Sequence, residues 1–256
     1  MGLILRNIFI SYPGSILSTL LCGLASIIVS PFAATGRTQH AIMRIWARSV
    51  LWICGIKVKV EGAENVPPGG SFVLVANHRS YMDSPAVIPF INLQFRFFAK
   101  SSVFYWPMIG YHLKQAGHLP VHYDNPGKSL KSMSNAARVI RQKGISVLLF
   151  PEAGRTTGEL EPFKDGAAYV AIKAGVPVIP MGLIGMDKVL GVNKLKITPQ
   201  NITLRFGTPI PTIDMPLSER GRLTQTLWVK VAELIDYPIP AEKHRELVAA
   251  GAPEHL

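Results

Sequence analysis

The chain has 256 residues, of which 48% are apolar and only 17% charged, whereas soluble domains average about 25% charged residues. This length allows one large domain, or one domain with an appendage, whose core needs no disulfide or metal. The formal net charge of +11 favours an anionic partner. Because the basic residues are scattered, with no arginine-rich run or zinc-ligand spacing, nucleic acid is not the expected partner. An acidic membrane surface or an acidic carrier protein fits better.

The N-terminal segment indicates a membrane. No charged residue occurs between Arg6 and Arg37, and residues 16–29 are almost wholly apolar. A helix needs roughly 20 apolar residues to cross a bilayer. Residues 14–35 are therefore expected to span the bilayer or to lie in it. The alternative is a helix buried under the domain. We place the helix between Pro13 and Pro31. A signal peptide is not expected, because no small-residue cleavage site follows cleanly.

Residues 40–54 predict a second, basic helix with tryptophans. Arg44 and Arg48 share one face, and the opposite face is apolar: Ile42, Ile45, Trp46, Ser49 and Ile53. Helices of this type lie in the headgroup region of a membrane. Together with the first segment, this helix predicts a two-helix membrane module over residues 1–54, joined by a turn at residues 35–37. The alternative is a surface helix packed on the core.

From residue 55 short strands alternate with helical patterns. Strands are predicted at residues 57–62, 71–76, 95–99, 144–150, 176–184 and 202–206, and helices at 129–143, 166–174 and 217–235. This alternation predicts an α/β domain with βαβ crossovers over residues 55–240, followed by a loosely attached tail at 241–256.

A histidine and an aspartate follow one buried strand. Residues 77–83 read Asn-His-Arg-Ser-Tyr-Met-Asp, which places His78 and Asp83 at the carboxyl end of the strand, where open α/β folds bind ligands. A carboxylate on Nδ1 would fix the imidazole tautomer and leave Nε2 as a base. Alternatively, Asp83 caps the following helix and His78 merely ends the strand.

The sequence offers His78 no protein nucleophile. There is no G-x-S-x-G elbow, and neither cysteine lies in a polar loop. The attacking hydroxyl is therefore expected to come from the substrate, which favours transfer to an alcohol over hydrolysis.

A second strand end supplies groups for an acceptor. Arg155 can grip a phosphate with two hydrogen bonds, and Glu152 can orient a hydroxyl or pair with Arg155. Gly154 permits close backbone approach, and Lys100 offers a second cation after another strand. Each charge is otherwise a solvated surface group.

These stretches resemble the motifs of the glycerophospholipid acyltransferase family. Residues 77–83 resemble its first motif, N-H-x-x-x-x-D, and residues 150–155, Phe-Pro-Glu-Ala-Gly-Arg, resemble its third, F-P-E-G-T-R. Residues 163–167 and 174–180 resemble the downstream motifs, and residues 99–100 and 116–121 the surroundings of the second. The resemblance covers roughly residues 71–184.

The resemblance implies a mixed sheet flanked by helices, behind an N-terminal two-helix membrane module. It implies fatty acyl transfer from acyl-CoA or acyl-carrier protein to the free hydroxyl of 1-acyl-sn-glycerol 3-phosphate, giving phosphatidic acid. His78 would be the base that Asp83 orients. Lys100 and Arg155, with Gly154 beside them, would hold the phosphate, and Glu152 would position the glycerol. No metal or bound cofactor is expected. The expected location is the cytoplasmic face of the inner membrane, on anionic lipid.

The chain departs from the family pattern twice. His122 and Tyr123 stand where the second motif ends in Asp-Arg, and Ala153-Gly154 stand where the third has Gly-Thr. The missing arginine leaves another acceptor open, such as a lyso-aminolipid or another lysophospholipid. Two further alternatives are a membrane thioesterase, in which His78 activates water, and a lipid-binding protein without catalysis.

Overall fold

The computed structural model describes residues 2–33 and 36–239, in which the strands form one seven-stranded sheet with helices on both faces. The strands are β1 (Ile56–Glu61), β2 (Val73–Ala76), β3 (Phe95–Lys100), β4 (Leu119–Val121), β5 (Ser146–Leu149), β6 (Val178–Ile184) and β7 (Gln200–Phe206). All six predicted strands are present, and β4 is one that the sequence analysis did not predict. The predicted tail at 241–256 and Thr35 of the predicted turn lie outside the described residues.

The helices alternate with these strands. They are α1 (Gly2–Arg6), α2 (Tyr12–Val29), α3 (Arg37–Cys54), α4 (Asp83–Val87), α5 (Ile109–Gln115), α6 (Pro126–Lys143), α7 (Gly166–Ala174), α8 (Asp187–Leu190) and α9 (Arg220–Leu234). The predicted helices correspond to α2, α3, α6, α7 and α9.

The sheet is mixed, as predicted. Its strand order is β1-β7-β6-β2-β5-β3-β4, and only the β6–β7 pair is antiparallel. β2 lies in the middle, parallel to β5 on one side and to β6 on the other. The strands β6, β2, β5, β3 and β4 therefore all end at the same edge, and the loops that follow them are neighbours there.

The sheet separates two apolar layers because side chains alternate along a strand. On β2, Leu74 and Ala76 pack with α3 and α4, whereas Val73 and Val75 pack with α6, α7 and α9. All four side chains are fully buried. This central position makes β2 a rigid base for the loop that follows it.

Helix α3 packs on the domain. Met43, Ala47, Val50, Leu51 and Cys54 belong to its core, and Arg44 donates a hydrogen bond to the carbonyl oxygen of Pro89. This face of α3 therefore packs on the core. Ile45 and Trp52 on the other side of the helix are exposed, and its predicted position in the headgroup region stays a prediction. The predicted apolar stripe, with Trp46 bonded to Thr19, lies towards α2 or solvent.

The N-terminal helix forms the outer layer. Helical residues run from Gly2 to Phe32, with a π-helical turn at Asn7–Ser11, and this helix is long and apolar enough to cross a membrane. The sequence predicted that Pro13 would precede the helix. Pro13 instead lies inside it, in the first turn of α2 and directly after the π-helical turn. Most of its large apolar side chains are exposed, including Phe9, Ile16, Leu21 and Ile28.

Candidate active site

His78 and Asp83 form a hydrogen-bonded pair after β2. The distance from His78 Nδ1 to Asp83 Oδ2 is 2.7 Å, and the aspartate is fully buried. A carboxylate only accepts hydrogen bonds, so Nδ1 carries the proton and Nε2 presents its lone pair. The spacing of five residues thus brings the two side chains together, as the sequence predicted.

Asp83 also organises the loop. Its Oδ2 atom accepts hydrogen bonds from the amides of Arg79 at 2.7 Å and Ser80 at 2.8 Å. Asp83 does not act as the side-chain cap of the following helix, which was the alternative. It is the first residue of α4, and that helix has no side-chain cap. The loop therefore wraps around one carboxylate oxygen, and that same oxygen orients the imidazole.

Two neighbouring strands hold the histidine. The ring of His78 stacks on that of Phe150, which follows β5, with centroids 4.1 Å apart. Asn77 uses both ends of its side-chain amide on β6, accepting from Leu183 N at 2.7 Å and donating to Leu183 O at 2.9 Å. Sequence reasoning assigned no role to Asn77, although an amide directly before a histidine at a strand end was the available signal.

Glu152 joins the two motif loops. Its Oε1 atom accepts from the His78 amide at 2.5 Å, and Oε2 accepts from Thr156 Oγ1 at 3.1 Å and from Glu161 N at 3.2 Å. Burial raises the pKa of this carboxyl, and these hydrogen bonds and the charge of Arg79 oppose the rise. Among the described residues the hydrogen bonds of Glu152 do not include Arg155, so the expected pairing is absent there.

Arg155 is exposed beside the histidine loop. Its Nε atom donates to Ser80 O at 3.2 Å, and its guanidinium carbon lies 4.4 Å from the ring centre of Tyr81. Within the described part of the chain its terminal amino groups make no hydrogen bond, so they are available to an anion. Sequence reasoning missed Tyr81, for which an aromatic residue inside the motif was the only signal.

Lys100 and Tyr123 lie further along the same edge. Lys100 is the exposed last residue of β3, and Tyr123 follows β4. Partial burial raises the pKa of the Tyr123 phenol, and the positive charge of Arg155 opposes that rise. Tyr123 thus lies within electrostatic reach of Arg155, at the position where the family pattern has an arginine.

The third-motif loop has an unusual backbone. Ala153 has φ of 62°, in the left-handed region that favours glycine, and Gly154 beside it is exposed. This conformation explains why the family motif has glycine at the position of Ala153. Over residues 2–33 and 36–239 no cluster of three or more potential metal ligands occurs.

Comparisons with known proteins show which family the chain belongs to. A family model described as "Acyltransferase" matches residues 57–184, half of the chain. A 1-acyl-sn-glycerol-3-phosphate acyltransferase of Limnanthes douglasii is 29% identical over 210 residues, which are 81% of this chain and 74% of the relative. The chloroplastic enzyme of that name, LPAT1, from Arabidopsis thaliana is 33% identical over 193 residues, 73% of this chain and 53% of the relative.

The fold matches a solved structure. The 1-acyl-sn-glycerophosphate acyltransferase PlsC from Thermotoga maritima superposes with a TM-score of 0.60 at 21% identity, covering 86% of this chain and 97% of that one. The strand order and the helices on both faces define an α/β domain with the acyltransferase fold. The chain belongs to the acyltransferase family, and it is an acyltransferase enzyme.

Proposed function

We propose that the chain transfers a fatty acyl group from acyl-CoA or acyl-carrier protein to the free hydroxyl of 1-acyl-sn-glycerol 3-phosphate. The product is phosphatidic acid, for phospholipid biosynthesis. One observation carries the proposal: the buried Asp83 orients His78 beside the exposed guanidinium of Arg155. The names of the relatives reported above support the same acceptor.

His78 acts as the general base. Its Nε2 atom takes the proton from the acceptor hydroxyl while that oxygen attacks the thioester carbonyl carbon. The tetrahedral intermediate collapses by breaking the C–S bond, and the leaving thiolate takes the proton back from His78. General base catalysis of this kind typically contributes roughly 10²–10⁴-fold. Neither cysteine supplies a nucleophile, since Cys22 and Cys54 lie in α2 and α3.

The oxyanion needs donors outside the first motif. The amides of residues 78–83 already donate to Glu152, Asp83, Leu190 or Ser80. These amides are therefore already engaged and do not serve as oxyanion donors. The amides of Gly154 and Arg155 have no acceptor within the described residues, and we assign the role to them. One such donor is worth about 3 kcal/mol in other enzymes.

Arg155 binds the acceptor phosphate, with the Tyr123 hydroxyl as a neutral donor in place of the missing arginine. Lys100 adds positive charge one strand further along. Glu152 acts through the loop that it holds, because its two oxygens are bonded to Thr156 and to backbone amides. It positions His78 and, through it, the glycerol.

The N-terminal helix attaches the enzyme to the membrane in the plane of the lipid. Asn7 and Tyr12 bond to residues 197 and 195, and Ser26 and Ser30 bond to His112 and Tyr111 of α5. Residues 7 and 26 are roughly 28 Å apart at about 1.5 Å per residue, close to the thickness of the hydrocarbon core. If the helix crossed the bilayer, its two ends would lie on opposite sides of the membrane. Both ends contact the same domain, so the helix lies in the plane of the lipid. The basic charge favours anionic lipid at the cytoplasmic face of the inner membrane.

An acceptor panel tests the proposal. The purified full-length protein is given CoA and carrier-protein thioesters with 1-acyl-sn-glycerol 3-phosphate, a lyso-aminolipid or another lysophospholipid. We expect the fastest transfer to the phosphorylated glycerol. A preference for the lyso-aminolipid would overturn the acceptor assignment and leave acyl transfer intact. Chain release without any acceptor would indicate a thioesterase instead, and bound lysolipid without turnover would indicate a lipid-binding protein.

A further inference from the structure

The segment between α8 and β7 carries an exposed apolar side chain between two lysines. Residues 194–196 read Lys-Leu-Lys, all three are exposed, and Leu195 is 87% exposed. A single exposed leucine needs no explanation by itself. Its position between two lysines, and the contacts of its backbone, are what distinguish it.

The Lys194–Lys196 loop is fastened to the N-terminal helix. The Tyr12 hydroxyl donates to the carbonyl oxygen of Leu195. Asn7 makes a two-way bond with Ile197, donating to its oxygen at 2.8 Å and accepting from its amide at 2.9 Å. Both groups of the Asn7 side chain are buried in this contact. The loop therefore keeps a fixed place beside a helix whose neighbouring Ile8 and Phe9 side chains are exposed.

The same segment contacts the catalytic loop at its other end. Ser80 forms a backbone bridge with Gly191, and its hydroxyl donates to Leu190 O at 2.8 Å. The Tyr81 amide donates to the same oxygen. The eight residues from Leu190 to Ile197 thus connect the His78 loop to the N-terminal helix.

The charges around the loop favour an anionic surface. Residues 185–199 contain Lys188, Lys194 and Lys196 against a single acid, Asp187, and the first acidic residue of the whole chain is Glu61. Lysines that flank an apolar side chain can reach anionic headgroups while the apolar group enters the lipid.

We propose that the Lys194–Lys196 loop is a second membrane contact, which inserts Leu195 into an anionic phospholipid surface beside the N-terminal helix. It holds the His78 loop at a fixed depth relative to the lipid that carries the acceptor. The proposal rests on the attachment of the enzyme to a membrane, as proposed above. It adds a contact made by the catalytic domain itself.

A fluorescent probe tests the insertion directly. In the full-length protein with Cys22→Ser and Cys54→Ala, Leu195→Cys is labelled with an environment-sensitive nitrobenzoxadiazole group. The matched control is Ile213→Cys, since Ile213 is also exposed but follows Thr212, which is bonded to α7 on the opposite face of the sheet. With phosphatidylglycerol vesicles, the probe at 195 should brighten and shift to the blue while the probe at 213 stays unchanged. The same spectrum at both sites would overturn the proposal.

Charge removal tests the lysines. Lys194→Gln with Lys196→Gln should weaken binding to phosphatidylglycerol vesicles by about fivefold for each lysine, with little effect on phosphatidylcholine vesicles. The matched control, Lys128→Gln with Lys131→Gln, lies on α6 on the opposite face. Activity on acceptor in detergent micelles should remain normal in both variants. Unchanged vesicle binding would refute the loop contact, whereas wild-type protein without transfer in micelles or vesicles would refute the proposed function instead.

Discussion

The guanidinium carbon of Arg155 lies 4.4 Å from the ring centre of Tyr81, and its Nε atom donates to Ser80 O. The third-motif arginine is therefore held by the backbone and an aromatic ring of the first-motif loop. This contact ties the position of the proposed phosphate ligand to that of His78. We expect one acceptor molecule to contact both groups.

Tyr81→Leu should weaken acceptor binding. An exposed cation–π contact contributes about 0.5–1 kcal/mol, so the KM for 1-acyl-sn-glycerol 3-phosphate should rise roughly two- to fivefold, with little change in the KM for the thioester. Tyr81→Phe is the matched control, because it keeps the ring and loses only the hydroxyl. Steady-state kinetics with each substrate varied in turn gives the two constants. Equal effects of both substitutions would argue against the ring contact.

His78→Ala should lower kcat by roughly 10²–10⁴-fold or more, because the base is lost. Asp83→Asn should fold and should lower kcat less than His78→Ala does. An amide oxygen can replace Oδ2 as the acceptor for His78 and for the two loop amides. What it loses is the negative charge that stabilises the ring once it is protonated. Rates and circular dichroism of purified variants check both. Near-normal transfer by His78→Ala would refute the base assignment.

Glu152→Gln should destabilise the protein and lower kcat, because an amide nitrogen would face a hydrogen-bond donor where a carboxylate oxygen now accepts. A buried unpaired group costs about 1–3 kcal/mol, which thermal unfolding can measure. Glu159→Gln, an exposed position in the same segment, is the control. A variant with normal stability and a raised KM for the acceptor would instead favour direct contact with the glycerol.

Ala153→Gly should stabilise the protein. A left-handed conformation costs a residue with a Cβ roughly 1–2 kcal/mol, and the greater freedom of glycine in the unfolded chain offsets part of the gain. We expect a net gain of about 0.5–1 kcal/mol, seen as a Tm higher by roughly 2 °C. Ala41→Gly, in an exposed turn of α3, should destabilise by about the same amount. Destabilisation by both substitutions would show that Ala153 is not strained.

Stability should fall on acidification below neutrality. Burial lowers the pKa of His40 and of His112 to about 4, from 6.5, with the charge of Arg96 adding to the effect. Between these values the unfolded chain binds more protons than the folded one, so the free energy of unfolding decreases as pH falls from 6.5 and levels off near 4. His118 in the same cluster shifts in the same direction.

Thermal unfolding at pH 7.5 and pH 5 measures this decrease. His40→Gln should reduce the pH dependence of Tm. An identical pH dependence in wild type and His40→Gln would exclude His40 as a contributor.

The alternation of strands and helices could be predicted from the sequence, because buried strands and helix ends are local patterns. The sequence also placed His78, Asp83, Glu152, Gly154, Arg155 and Lys100 at strand ends. The five-residue spacing allowed the His78–Asp83 pair but did not decide between that pair and a helix cap by Asp83.

The groups that the side chains meet across the sheet could be known only from the folded chain. Glu152 accepts from the amide of His78, 74 residues away, and the loop at 190–197 reaches both Ser80 and Tyr12. The face of α3 that enters the core was likewise undetermined, because an amphipathic pattern is the same whether protein or lipid covers it. Such contacts depend on strand order, which no local pattern encodes.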